Sequence, residues 1–372
     1  MTFRHSVLAR ARSSNGTRRV TIAAALVALG MTALTACNSA EGSSGPKLDA
    51  DAALPDKVPS GTVLRIGDPA TQTAIEASGL DQELKDAGVD VEWANISGGP
   101  KTLEAFRAHA IDVGAAQDIP PLFAKWTDTD VRIVATSSRA DALNHAVYQL
   151  GVAPGVDVTS LEDLKGKTIA YSPGQAQGAL VLRVLDKAGL TQDDVKLVEM
   201  QSVDDVYVNA VGSKQVDVAP LGGTLLTQYL AKYGQDGGTS IPTGIRDDQS
   251  LLYAPTETVE DADKAAALAA YVVVWAKAKQ WANAHPDEYA QAFYVDHEGL
   301  TLEDGLALIA QAGTIQVPIN WDETIAAHQE TADLLAKEQG HDELDVADIY
   351  DRRFEKVVAD ALGSAATDGF VQ

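Results

Sequence analysis

The 372 residues could hold one large domain or two to three ordinary ones, and a composition of 45% hydrophobic and 22% charged residues is that of a globular chain, not a disordered or fibrous one. Acidic residues outnumber basic ones 53 to 29, a field that argues against nucleic acid or an anionic lipid surface as a partner. A single cysteine excludes an intrachain disulfide and any zinc or iron–sulfur site built on clustered cysteines.

The first segment reads as an address. Arg4, Arg10, Arg12, Arg18 and Arg19 precede Cys37 with no acid among them, so its removal leaves 24 basic against 53 acidic residues. Val20 to Ala36 is an apolar run of 17 residues, short for a permanent membrane span and suited to the core of an export signal. Leu34-Thr35-Ala36-Cys37 resembles a bacterial lipobox. That resemblance implies a lipoprotein: a signal peptide over residues 1–36, cleavage before Cys37, acylation of its sulfur (palmitate-type chains), and a stable anchor on the outer face of the cell membrane. Arg18-Arg19 also resembles a twin-arginine signal, so Sec and Tat export both stay open. Residues 37–61 are small, polar and rich in Pro and Gly, and are expected to form a flexible tether.

The folded body is expected from Thr62. Val63–Gly67 reads as a strand, Thr73–Ala87 as a helix and Val89–Trp93 as a second strand. Ser97-Gly98-Gly99-Pro100 opens a helix whose buried face is Leu103, Phe106 and Ala110, and Ile111–Gly114 is a third strand. The same grammar returns in Lys167–Tyr171, a helix opened by Ser172-Pro173-Gly174 and ended at Gly189, Val195–Glu199, a helix over Val203–Val211, and Val216–Ala219. Ile66 to Asp112 spans 46 residues and Ile169 to Asp217 spans 48. Alternating strands and helices of this kind predict α/β architecture with parallel or mixed sheets. From Leu251 onward the chain reads as mostly helical, over Asp261–His285, Thr301–Gln311, Trp321–Gln339 and Ala347–Leu362. Tyr271, Trp275 and Trp281, at helical spacing with Val272 and Val274, read as core packing.

Val91-Glu92-Trp93-Ala94-Asn95-Ile96-Ser97-Gly98-Gly99-Pro100, Ile111-Asp112-Val113-Gly114 and Ile119-Pro120-Pro121-Leu122 carry a resemblance, as do Leu161–Ala170 and Leu185–Leu190. Together they are similar to the aliphatic sulfonate/taurine/nitrate group of solute-binding proteins of ABC transporters. The likeness covers roughly residues 62–360. It implies a two-lobed, type II periplasmic-binding-protein fold, with lobe I over 62–138 plus 246–372 and lobe II over 139–245. A small-molecule ligand would bind in the cleft between the lobes, and the closed form would dock on ABC permease subunits. The resemblance implies no cofactor, no metal and a monomer. The sequence departs from the family pattern at Gln175, at Gly178, at Ala219–Gly223 and over Asn144–Pro154, which leaves the ligand's identity open.

Under that two-lobe arrangement, helix N-termini offer unpaired N–H groups and partial positive charge to an anion. Four loops are expected to converge. They supply the candidate ligand-binding residues Asp68, Thr71 and Gln72; Ser97, Gly98 and Gly99; Gln117 and Asp118; and Ser172, Gly174, Gln175, Ala176 and Gln177. Gln201 and Gly222 follow the lobe II strands, and Ser137, Ser138 and Arg139 begin the first crossing between lobes. Arg139 is the foremost cationic candidate, with His145 and Arg246 behind it. Asp112 and Asp217, at matching positions in the two halves, read as turn or cap residues.

Catalysis is disfavoured. Ala170-Tyr171-Ser172-Pro173-Gly174 lacks the first Gly of a nucleophile elbow, the histidines are scattered, and Gly99-Pro100-Lys101-Thr102 lacks the upstream glycine of a phosphate loop. A mature chain whose only sulfur-bearing residues are Cys37 and Met200 suits the importer of a sulfur source. The reading is a lipid-anchored receptor for a small anionic, sulfonate-like solute. A sensor for a membrane signalling partner, and an enzyme on the same fold, are the alternatives.

Overall fold

The computed structural model describes residues 45–363, so the export signal and Cys37 lie outside the described residues. β1 (Thr62–Gly67) buries Leu64 and Ile66 completely. It leads into α1 (Pro69–Ser78), where the Asp68 carboxylate caps the Thr71 N–H at 3.2 Å. The single helix expected over Thr73–Ala87 is two: Gly79 takes a left-handed conformation (φ 75°) that ends α1, and α2 (Asp81–Asp86) restarts beyond it. β2 (Val89–Trp93) and α3 (Gly99–Arg107) follow. Ala110, expected on the buried face, is exposed because α3 stops at Arg107. β3 (Val113–Gln117), α4 (Ile119–Trp126) and β4 (Val131–Arg139) complete the first run.

The second run is β5 (Tyr148–Val152), β6 (Thr168–Tyr171), α5 (Ala176–Lys187), β7 (Lys196–Glu199), α6 (Val206–Gly212), β8 (Val218–Gly222), α7 (Gly223–Tyr233) and β9 (Thr239–Pro242). Both of its expected helices start later than anticipated, at Ala176 and Val206. The chain then returns through β10 (Ser250–Pro255), α8 (Thr256–Glu260), α9 (Ala262–Ala284) and α10 (Pro286–Tyr289). A π-helical turn (Ala290–Val295), α11 (Leu302–Ala312), β11 (Ile315–Gln316), α12 (Asp322–Gln339) and α13 (Arg353–Leu362) end it. The region after Leu251 is therefore not only helical. The last helix also begins at Arg353 rather than Ala347, since Val346–Ile349 forms a separate 3₁₀ turn.

Two sheets result. One has six strands in the order β11-β4-β10-β3-β1-β2, the other five in the order β7-β6-β8-β5-β9. Both are mixed. β1 runs parallel to β2 and β3, and β6 parallel to β7 and β8. The strands next to the crossings run against their neighbours: β10 is antiparallel to β3 and β4, and β5 to β8 and β9. The chain passes between the sheets twice, through residues 140–147 and 243–249.

The repeat is also chemical. Asp112 accepts the Arg65 backbone N–H at 2.8 Å, and Asp217 accepts that of Thr168 at 2.7 Å. Each carboxylate thus ties the start of a third strand to its parallel partner. Residues 45–61 shorten the expected tether. Gly45 donates to Asp261 at 2.6 Å, Leu48 to the Glu260 carbonyl, and the Arg353 guanidinium to the Ala52 carbonyl, so the stretch lies packed against α8, α9 and α13.

Candidate functional site

Strand ends and helix starts from both sheets face a shared cavity of about 620 Å³. The six-stranded side supplies the β1–α1 turn, the β2–α3 loop, the end of β3 and one face of α9. The five-stranded side supplies Tyr148, the first turn of α5, Ser202 and Asp204. All four loops expected to converge contribute. Of the candidate residues, Asp68, Ser97, Gly98, Gly99, Gln117, Gln175, Ala176 and Gln177 line the cavity.

α3 and α5 both begin there without a side-chain cap; Pro100 has no N–H and the Gly178 N–H bonds the Gln175 carbonyl at 3.0 Å, so the N–H groups of Gly99, Lys101, Ala176 and Gln177 are those left for another acceptor. The Gln175 amide is committed elsewhere: it donates to the Ser202 carbonyl at 2.9 Å and accepts from the Ser202 N–H at 2.7 Å. Gln117 is likewise engaged, donating to the Asp247 carbonyl at 2.9 Å and accepting from the Tyr148 hydroxyl. These amides hold the walls in place and were expected to donate to the ligand.

One of the two lysines lining this cavity, Lys279, was missed by the sequence reading. It rises from α9, donates to Thr71 Oγ1 at 3.1 Å and lies 5.1 Å above the Trp275 ring. Burial lowers its pKa, and the nearby Asp68 carboxylate opposes that shift. Asp68 is 3% exposed; Oδ1 caps α1 while Oδ2 has no hydrogen-bond partner. The Trp275 Nε1 and the Tyr271 hydroxyl are also buried without partners. Burial, with the Asp68 charge beside it, pushes the Tyr271 pKa well above its ordinary value. Trp275 and Tyr271 are core residues as expected, and Trp275 also lines the cavity. The spacing Tyr271, Trp275, Lys279 was the available signal, since steps of four put all three on one helix face.

Two further features frame the cavity. The π-helical turn brings Phe293, His297 and Glu298 to its rim, with Phe293 and His297 rings stacked at 5.6 Å. Lys101 on α3 pairs with Asp204 on the opposite side at 3.1 Å.

The other candidates lie outside the cavity wall. Thr71 is buried beneath it, behind Lys279. Gln72 bonds Glu76 on the outer face of α1, and Gln201 is exposed. Ser172 is buried, Gly174 packs against the Phe123 ring, and Gly222 abuts the Val147 carbonyl. Ser137 and Ser138 are buried within β4. Arg139 gives its guanidinium to the His145 carbonyl at 2.7 Å, and His145 bonds the Gln311 carbonyl. Arg139 is thus a bracket for the first crossing. Asp118 faces a second cavity of about 490 Å³, which it lines with Arg183, Arg246 and Thr331; Arg246 pairs there with Asp248 at 2.9 Å.

The crossings are stitched together beside the cavity. Asp247 accepts the N–H groups of Val147 (2.7 Å) and Tyr148 (2.9 Å), and Asp248 accepts that of Arg139 (2.6 Å). Burial pushes the Asp247 pKa up to about 6, against those two N–H donors and the Arg139 charge. Among the described residues no group of His, Cys, Asp and Glu is arranged to hold a metal, and no helix is long and apolar enough to cross a membrane.

A family model described as NMT1/THI5 like matches residues 84–289. An Escherichia coli (strain K12) protein described as "Putative aliphatic sulfonates-binding protein" is 31% identical over 106 residues, 28% of this chain and 32% of that protein. A Brucella abortus (strain 2308) protein described as a binding protein, with the same qualifier, is 30% identical over 180 residues, 46% of this chain and 52% of that protein. The chain thus spans about a third and about half the length of these two curated relatives. In solved structures, the fold matches the alkanesulfonate-binding protein SsuA of Xanthomonas axonopodis pv. citri bound to MOPS, with TM-score 0.66, 22% identity, and coverage of 78% of this chain and 99% of that one. It matches the periplasmic aliphatic sulphonate binding protein SsuA of Escherichia coli at TM-score 0.65 and 22% identity, covering 80% and 100%. The desulfurization enzyme DSZB shares the fold more distantly, at TM-score 0.58 and 15% identity over 80% and 99%. The fold is therefore the two-lobed one of the periplasmic binding proteins. With the family model spanning more than half of the sequence on that fold, the chain belongs to the NMT1/THI5 like family.

Proposed function

We propose that this protein is the extracytoplasmic solute-binding component of an ABC importer. It captures a small organic anion of the sulfonate type between its lobes and delivers it to permease subunits. Lobe I is read as residues 62–138 plus 246–372 and lobe II as 139–245, with Cys37 as the lipid-anchor position and the mature protein acting as a monomer on the outer face of the cell membrane.

One observation carries this reading. The cavity lies between the two sheets, and the uncapped N-termini of α3 and α5 approach it from opposite sides, with Lys279 on one wall. Such groups suit an anion without a cationic surface, in a chain whose overall charge is strongly negative. A ligand that contacts both walls binds the closed arrangement better than the open one, and that difference is what a permease could read. The names of the relatives support a sulfonate-type ligand. The distant likeness to a desulfurization enzyme leaves the receptor reading preferred, because the sole cysteine of the chain lies at position 37, ahead of the folded body.

Native mass spectrometry of the purified mature protein, followed by calorimetric titration with alkanesulfonates, taurine and nitrate, tests the proposal. A bound organic anion, or saturable heat with one of these compounds, supports it. The absence of both overturns it.

A further inference from the structure

We infer that Lys279 and Asp68 together restrict the cleft to a ligand head bearing a single negative charge, with Lys279 as the contact for that charge and Asp68 as the barrier to a second one. The inference deepens the anion-receptor reading and rests on it.

The charges on the cavity wall decide the matter. Asp68, Asp204 and Glu298 stand against Lys101 and Lys279, with His297 beside them. Lys101 is taken by Asp204 at 3.1 Å, and Glu298 has His297 at 3.2 Å. Lys279 forms no ion pair with any described carboxylate. One of its three donors goes to Thr71 Oγ1, which leaves the ammonium with unspent hydrogen-bonding capacity on the cavity wall. An oxyanion suits that ammonium.

Asp68 sets the limit. Its carboxylate is buried beside the Tyr271 hydroxyl, and the side chain cannot swing aside without giving up the cap on α1 through Oδ1. A head with one charge can direct that charge to Lys279 and a neutral face toward Asp68. A head with two charges brings its second one against a fixed, poorly solvated carboxylate, where like charges are strongly disfavoured.

Methanesulfonate and inorganic sulfate test this directly, being tetrahedral oxyanions of similar size with one and two charges at neutral pH. In calorimetric titrations the wild type is expected to bind methanesulfonate at least about tenfold more tightly than sulfate. Lys279→Met should weaken methanesulfonate by about tenfold while keeping the aliphatic stem on Trp275, and Lys279→Arg should restore most of the loss. Asp68→Asn, which still caps α1, should narrow the gap between the two anions; thermal unfolding checks that each variant is folded. Equal wild-type affinity for both anions overturns the inference. So does unchanged binding in Lys279→Met, or a gap unaltered in Asp68→Asn, and in these cases the receptor reading stands. No heat in the wild type with methanesulfonate, propanesulfonate or sulfate overturns this inference, and the anion-receptor reading fails with it when taurine, nitrate and native mass spectrometry are negative as well.

Discussion

Asp112 shows how much one side chain can anchor. It is 5% exposed and receives the Arg65 backbone N–H, the Arg65 guanidinium at 2.7 Å and the Lys264 ammonium at 2.9 Å. Burial alone would raise its pKa, but the hydrogen bonds from Arg65 and Lys264 prevail and hold the carboxyl below its ordinary value. A group held low in the folded state contributes stability above its unfolded pKa, near 4, and loses that contribution as pH falls through the folded value. Asp112→Asn should therefore cost about 2 kcal/mol near neutral pH, with the difference from wild type shrinking as the pH drops below about 4. Urea denaturation at several pH values measures it. The correspondence was legible in the sequence, where Asp217 stands at the matching place in the other half, but the role was not: turn or cap roles were expected, and each carboxylate instead accepts an N–H of a neighbouring strand. Lys279 was not legible in that way. Its neighbours on α9 are mostly Ala, Val and aromatic residues spread around the helix, content that reads as core and gave no reason to single out one cation among them.

At the scale of elements, the order of strands and helices in the first and second runs was readable, because each strand is short, apolar and followed by a turn signal. β10 escaped. Ser250-Leu251-Leu252-Tyr253-Ala254-Pro255 is buried on both faces between β3 and β4, so it lacks the alternation that marks a half-exposed strand. The late start of α5 follows from the left-handed Gly174 (φ 82°) and the extended Gln175 (φ −126°, ψ 156°) ahead of it, and the first turn of the helix then packs closely on that loop. A Cβ placed on Gly178 would lie 2.2 Å from the Ser172 carbonyl oxygen, so the helix can pack on the turn after β6 only with hydrogen at that position. Gly178 is one of the positions where the sequence departs from the pattern of the family it resembles, and backbone atoms cannot yield as a flexible side chain could. Gly178→Ala should lower stability by about 1–3 kcal/mol, the range typical of overpacking, even though alanine is the better helix former. Thermal unfolding of the variant checks it, and an unchanged or raised midpoint would show that the first turn of α5 shifts freely.

For the whole molecule, the question is what holds one lobe near the other. The crossings are tied by Asp247 and Asp248, which accept N–H groups from the opposite crossing, and these bonds are partly buried. The contact at the cavity mouth is of another kind. Lys101 and Asp204 are 51% and 74% exposed, and Asp204 sits in a left-handed conformation (φ 48°) that only a local turn requires. An ion pair so open to solvent is worth at most about 1 kcal/mol and is screened by salt. The pair therefore cannot hold the lobes shut without ligand; it can only add to a closure driven by contacts inside the cavity. Lys101→Glu, which sets two carboxylates face to face, should weaken binding of the proposed anionic ligand by no more than about fivefold at low ionic strength, and the penalty should fade at high salt. The swapped pair, Lys101→Glu with Asp204→Lys, should recover most of the loss. Calorimetric titration of the three proteins at low and high salt is the measurement. A loss of a hundredfold or more in Lys101→Glu, or one that persists at high salt, would mean that Lys101 touches the ligand itself and that the anionic head lies at the mouth of the cleft, away from Lys279.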